Sequence, residues 1–257
     1  TDDILTEIQI TAHRGSSKSA PENTMAAMEL AVENLADFVE IDVQETADGV
    51  VVLGHDSTLK RVAGVNRTIG SYTLEDLQDL DVGKWFSKEF EGERIPTLAD
   101  IMEFCKGRVK MNIEIKNLGK DSPLPDKVVE LISDFQMKEQ CVVTSTRLSY
   151  LSRVKELDPD IRTGYIISAA YGDYYSDDDV DFISIRSSFV SGKLVEAAHE
   201  KGKAIHAWTV NNKSEMERMK MLGVDNIITD YPVLAREIVY RERATETLFE
   251  YLRLVLK

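Results

Sequence analysis

The chain has 257 residues, 43% of them hydrophobic, which suits one large core in an ordinary globular protein. Its formal net charge of −14 makes nucleic acid and anionic membrane surfaces poor partners. A small anionic substrate stays open, because a metal ion and a few local cations invert the potential inside a pocket.

Apolar, β-branched runs alternate with helical patterns almost to the C-terminus. Eight runs are predicted as strands: Ile8–Ala12, Phe38–Val43, Val109–Ile115, Cys141–Ser145, Ile161–Ile167, Phe182–Ile185, Ala204–Thr209 and Asn226–Thr229. The spacing predicts helices starting near Asn23, Leu98, Pro125, Leu148, Gly192 and Ser214, with a last one from Pro232. Such alternation argues a parallel sheet, and eight strands in this length argue closure into a (β/α)8 TIM barrel forming a single domain. Two stretches break the rhythm. Residues 44 to 107 are too long for one crossover and are expected to be a small insertion between the second and third strands, on the C-terminal rim. The tail, 232 to 257, carries Leu248, Tyr251, Leu252 and Val255 at helical spacing. That helix either packs on its own barrel or offers a homodimer contact.

No run of about 18 apolar residues spans a bilayer, and no stretch has the form of a secretory signal. Cys105 and Cys141 match no metal or redox spacing and are expected as reduced, buried side chains. The chain opens at Thr1, so an N-terminal piece is expected to have been removed or never included, and the parent protein's location stays open.

Residues with chemistry gather at strand ends. Ile10-Thr11-Ala12-His13-Arg14-Gly15 ends an apolar run in a histidine and an arginine. Pro21-Glu22-Asn23-Thr24 follows at a helix start, where Asn23 has N-cap chemistry. Phe38-Val39-Glu40-Ile41-Asp42-Val43 places two carboxylates on one strand face. Val51-Val52-Leu53-Gly54-His55-Asp56 ends in a second histidine, and Met111-Asn112-Ile113-Glu114-Ile115-Lys116 pairs an acid with a lysine. In a β/α barrel the C-terminal strand ends form the site, so these groups are expected to converge. Buried carboxylates are costly unless paired or metal-bound. Ion pairing of Glu40, Asp42 and Glu114 with Arg14 and Lys116 is the simpler account. A hard divalent ion, Ca2+ or Mg2+, is favoured because three oxygen donors suit it; zinc is less suited without thiolates. The Arg14 fork and the Lys116 point charge match a phosphodiester. Trp208, ending the seventh strand, is expected to line the pocket. His199 is expected on a helix exterior, and His206 as an ordinary strand polar residue.

Taken together, His13-Arg14-Gly15, Pro21-Glu22-Asn23-Thr24, Glu40-x-Asp42-Val43, Asp48-Gly49, His55-Asp56, Ile95-Pro96-x-Leu98, Glu114-x-Lys116, Trp208-Thr209-Val210-Asn211 and Ile228-Thr229-Asp230-x-Pro232 resemble the glycerophosphodiester phosphodiesterase family over nearly the whole chain. The resemblance implies a (β/α)8 barrel with a small inserted segment and hydrolysis of glycerophosphodiesters to sn-glycerol 3-phosphate and an alcohol. It implies that Glu40, Asp42 and Glu114 hold the divalent metal and that His13 and His55 are the acid–base pair. Arg14, Lys116, Trp208 and Glu22 are then the expected substrate-binding residues. The nucleophile is either water or the glycerol 2-hydroxyl. Glu139-Gln140-Cys141-Val142-Val143-Thr144-Ser145 looks most like the soluble C-terminal domain of bacterial membrane-anchored members, which implies a tether outside this sequence; the alternative is a cytoplasmic protein. Two rivals remain: a lysophospholipase D on the same barrel, whose lipid would need an apolar groove at the rim, with Tyr171, Tyr174, Tyr175 and Phe189 either supplying it or serving as loop and core residues, and a non-catalytic phospholigand-binding module.

Overall fold

A computed structural model describes residues 7–169 and 176–240. Eight parallel strands close on themselves: β1 (Gln9–His13), β2 (Phe38–Glu45), β4 (Lys110–Ile115), β5 (Cys141–Ser145), β6 (Arg162–Ile167), β7 (Phe182–Arg186), β8 (Ala204–Trp208) and β9 (Asn226–Thr229). Each run predicted as a strand becomes one of them. The seam closes where Thr11 pairs with Phe38 on one side of β1 and with Ile228 on the other. A ninth strand, β3 (Val51–Leu53), runs antiparallel to the end of β2. Helices α1 (Met25–Glu33), α4 (Leu98–Cys105), α5 (Leu124–Asp134), α6 (Leu148–Leu157), α7 (Gly192–Glu200) and α8 (Lys213–Leu222) surround the barrel, and a last helix is described over 232–240. No described helix is long and apolar enough to cross a membrane.

The period of two along each strand sorts side chains by chemistry. Ala12, Val39, Ile41, Met111, Ile113 and Val143 face outward and pack with helix residues such as Met28, Leu98, Met102, Val128 and Val154. Ile183, Ile185, Ile205 and Ile227 do the same with Leu194, Ala198, Met216 and Met219 on the other half. The alternate residues point inward. At the base of the barrel Phe38, Val142 and Phe182 close the interior. Gly164 makes room there, since a Cβ would lie 2.1 Å from the Phe182 ring. His206 stacks on Phe182 at 4.0 Å between ring centroids. Burial, helped by Arg162, pushes its pKa down to about 3, so the ring is neutral. Above this plug most of the inward residues are polar, Ile166 and Ile228 being apolar exceptions.

Of the stretch from 44 to 107, α4 packs into the barrel's apolar layer. β3, α2 (Lys60–Ala63) and α3 (Leu74–Leu77) lie in a segment with its own cluster: Val52, Leu59, Ile69, Tyr72, Leu77, Val82 and Ile95. The tail residues Leu248, Tyr251, Leu252 and Val255, and Tyr171, Tyr174 and Tyr175, lie outside the described residues.

Three aspartates stitch the barrel base in one way. Asp37, Asp181 and Asp225 each immediately precede a strand. Their carboxylates accept the backbone N–H of Ile10 (2.8 Å), Thr163 (2.8 Å) and Ile205 (2.7 Å), the second residues of the preceding strands. Their own N–H groups donate to the carbonyls of those same residues, and their carbonyls accept from Lys110, Ala204 and Gln9 of the following strands. Asp181 also binds Lys155 Nζ at 2.7 Å. Burial opposes its ionisation, but Lys155 and the Thr163 N–H hold its pKa below the ordinary carboxylate range. Stability from this group is therefore full above the unfolded pKa and is lost as pH falls through the lower folded one. Asp181→Asn is expected to cost about 1–2 kcal/mol at neutral pH, with the gap to the parent narrowing at acid pH, below the ordinary carboxylate range. Denaturant melts at neutral and acid pH check this.

Candidate active site

A cavity of about 250 Å³ opens at the C-terminal end of the barrel, and His13, Arg14, Glu40, His55, Glu114, Lys116 and Trp208 line it. Asp42 pairs across the β2–β4 seam with Glu114, while Glu40 lies one inward position below it on β2. One oxygen from each of Glu40, Asp42 and Glu114 lies within 4.8 Å of the others. Glu40 and Asp42 are 5% and 1% exposed, so their charges have little help from solvent.

Two cations stand against three carboxylates. Lys116 Nζ lies 2.9 Å from Glu114 and 3.5 Å from Asp42. Arg14 Nε lies 3.3 Å from Asp42 Oδ2 but makes no hydrogen bond there. Burial opposes ionisation of Asp42, yet Arg14 and Lys116 bring its pKa below the usual value. Burial and the Asp42 charge push Glu40 up to about 8 and Glu114 up to about 7. Fully ionised, the three carboxylates outnumber the two cations beside them, and the upward shifts of Glu40 and Glu114 express the cost of ionising all three together in a buried place. A tight set of three carboxylate oxygens, which a bound cation would let ionise together, fits a hard divalent cation.

Asn23 was expected as a helix cap, but Thr24 caps α1, its hydroxyl accepting from Ala27 N. Asn23 instead turns inward. Its Nδ2 donates to Asp42 Oδ2 at 3.0 Å, and its Oδ1 accepts from Asp42 N at 3.2 Å. The reason is backbone shape: Asn23 has φ 54, a left-handed conformation that an N-cap does not adopt.

Both histidines are held at Nδ1 by an aspartate. His13 Nδ1 lies 2.7 Å from Asp230 Oδ1, and His55 Nδ1 lies 2.8 Å from Asp56 Oδ1. Asp230 is itself fixed by Ser17 Oγ at 3.1 Å and Asn211 Nδ2 at 2.7 Å. Burial would lower the His13 pKa, but the Asp230 hydrogen bond and the Glu40 charge outweigh it and the net shift is upward. His199 sits 43% exposed on α7, its Nε2 2.8 Å from Asp225.

Arg14 is anchored by its backbone and its tip. Its N–H donates to Glu40 Oε2 at 3.0 Å, and its Nη1 to Glu22 Oε2 at 2.8 Å. Glu22 stands behind Arg14 rather than on the cavity wall. Asn112, Thr144, Ser184 and Ile166 complete the deeper wall. The Trp208 indole N–H is buried without a protein partner. Phe189 is 41% exposed, away from the lining of this cavity.

A model of the glycerophosphoryl diester phosphodiesterase family matches residues 13–234. The chain belongs to this family. It is 35% identical over 228 residues to the glycerophosphodiester phosphodiesterase of Caldanaerobacter subterraneus subsp. tengcongensis, covering 87% of this chain and 94% of that one. It is 28% identical over 273 residues to human lysophospholipase D GDPD3, covering 89% and 84%. Among solved structures, an Oleispira antarctica phosphodiesterase in complex with the product sn-glycerol-3-phosphate superposes with a TM-score of 0.81 at 29% identity, covering 90% and 96%. These matches and the closed parallel barrel agree on the fold of this phosphodiesterase family.

The His-Arg-Gly turn explains its glycine. Arg14 has φ 55, Gly15 has φ +79, and a Cβ on Gly15 would lie 2.7 Å from the Ala27 backbone. Gly15→Ala is expected to cost about 1–3 kcal/mol, read as a lowered Tm in thermal melts.

Proposed function

We propose that this chain hydrolyses glycerophosphodiesters to sn-glycerol 3-phosphate and an alcohol, with a divalent metal, Ca2+ or Mg2+, held by Glu40, Asp42 and Glu114. The observation that carries the reading is the meeting, in one barrel-end cavity of a family member, of two aspartate-backed histidines with a carboxylate cluster and two cations. The product complex of the Oleispira antarctica relative supports the same chemistry.

When bound, the metal supplies positive charge for the phosphate's non-bridging oxygens as charge builds at phosphorus. The Arg14 fork and the Lys116 ammonium bind the phosphate from the protein side. His13 and His55 divide the proton transfers. One takes the proton from the attacking oxygen, and the other gives one to the departing alcohol oxygen as the P–O bond breaks. Asp230 and Asp56 hold the Nδ1 edges, which leaves Nε2 for transfer. The attacking oxygen is water, or the glycerol 2-hydroxyl followed by water opening the cyclic phosphate. Trp208 offers its indole N–H and ring to the substrate, and Glu22 acts by fixing Arg14.

A second reading, lysophospholipase D, is favoured by the human relative's name. The phospholigand-binding module is disfavoured, because both histidines and all three acids are in place. The described part of the tail, 232–240, packs on the barrel through Ala235 and Val239; a homodimer contact through Leu248, Tyr251, Leu252 and Val255 concerns residues outside those described, and a membrane tether concerns a segment outside this sequence.

Purified protein with Mg2+ or Ca2+ is expected to release sn-glycerol 3-phosphate from glycerophosphocholine and glycerophosphoethanolamine with efficiencies within about tenfold of each other, and to lose turnover on chelation. Faster choline release from lysophosphatidylcholine would favour the second reading; full activity after exhaustive chelation would remove the metal.

His13→Ala and His55→Ala are each expected to lower kcat on the order of 100-fold or more with the melt unchanged. The double variant should be little worse than either, since both serve one proton circuit. Rate and melting measurements on the three proteins decide it.

A further inference from the structure

Arg61 lies on α2, in the segment that leaves the barrel, and its side chain is 42% exposed. Its guanidinium nevertheless reaches back with three donors. Nε donates to Asp56 Oδ2 at 2.8 Å, Nη1 to Glu22 Oε1 at 2.5 Å and Nη2 to Glu22 Oε2 at 3.0 Å. Neither carboxylate is idle. Asp56 Oδ1 holds His55 Nδ1 at 2.8 Å, and Glu22 Oε2 also accepts from Arg14 Nη1 at 2.8 Å. The Trp85 ring backs the guanidinium, 5.5 Å from its centroid.

We propose that Arg61 is a positioning residue for diester hydrolysis: its guanidinium sets both carboxylates that aim His55 and Arg14, tying proton transfer and phosphate binding to one off-barrel group. The inference rests on the roles proposed above for His55 and Arg14. An isolated surface ion pair contributes little, because two flexible chains must be held in one geometry. This one differs. Its planar fork grips Glu22 with two nitrogens and Asp56 with a third, so each carboxylate is fixed at both oxygens. A lysine keeps the charge but not the fork, and so holds one carboxylate and releases the other.

The test compares the parent with Arg61→Ala, Arg61→Lys and a control, Arg67→Ala. Arg67 lies in the same segment, where its Nη2 donates to the Ser71 carbonyl at 2.9 Å. Kinetics on glycerophosphocholine with saturating Mg2+ are expected to show Arg61→Ala with kcat lower on the order of 100-fold and KM raised. Arg61→Lys should recover only part, and Arg67→Ala should match the parent. Methylguanidinium in the buffer should restore Arg61→Ala by about tenfold or more, while Tm and Mn2+ binding by calorimetry stay at parental values. An Arg61→Ala enzyme within about threefold of the parent overturns the proposal. So does a loss that methylguanidinium does not relieve, or one that comes with a lowered Tm. A readout without turnover separates this from the functional reading. The His55 Nδ1–H held by Asp56 should give a low-field proton resonance that vanishes in Arg61→Ala and returns with methylguanidinium. A parent that cleaves no diester but shows this behaviour sinks the functional reading and keeps the positioning role. A resonance that persists in Arg61→Ala sinks the positioning role alone.

Discussion

Three carboxylates brought to one point inside a barrel repel one another, and the site is built around holding them there. At an effective dielectric near 20, two unit charges 4 Å apart repel by about 4 kcal/mol. The surroundings answer in layers of alternating sign. Arg14 and Lys116 lie against the acids, Glu22 stands behind Arg14, and Arg61 stands behind Glu22. Burial, and then the Asp42 charge, drive Glu40 and Glu114 upward, while Asp42, with Arg14 and Lys116 both beside it, is driven down. The same unevenness makes the cluster a place for a cation.

The barrel makes this arrangement affordable by separating two tasks on one strand. On β2, Val39, Ile41 and Val43 face the helices while Glu40 and Asp42 face the axis. The apolar face supplies the burial that stabilises the strand, and the inward face is released from packing duty above the Phe38–Val142–Phe182 plug. Polar groups at the rim therefore do not weaken the core beneath them.

This division made the barrel and its acids legible in the sequence. An acid inside a β-branched run has no reason to be there unless its face is a site, and Glu40, Asp42 and Glu114 all showed that pattern. His13 and Arg14 were legible for the same reason, at the end of such a run. The partners that orient them were not. Asp230 sits 217 residues from His13 in the chain, and Arg61 sits 39 from Glu22, in a loop-rich segment without periodic pattern. Asn23 read as a cap, whereas in the structure it is an inward partner of Asp42. The left-handed backbone at that residue, which the sequence did not reveal, sets this role. His206 likewise gave no hint that it stacks, neutral, on the floor of the site.

The stitching at the barrel base bears on how a closed sheet finds its stagger. A cylinder of strands closes only if the offsets between neighbours add up to a fixed shear. A slip of two residues at any seam preserves which side chains face inward, so hydrophobic patterning alone does not forbid it. Asp37, Asp181 and Asp225 each bond the strand before with side chain and N–H and the strand after with the carbonyl. Six of the eight seams are pinned in this way, leaving only β4–β5 and β5–β6 without such a stitch. A slipped seam would strand a carboxylate beside unpaired backbone, so these aspartates act as registration marks that turn many near-equivalent cylinders into one.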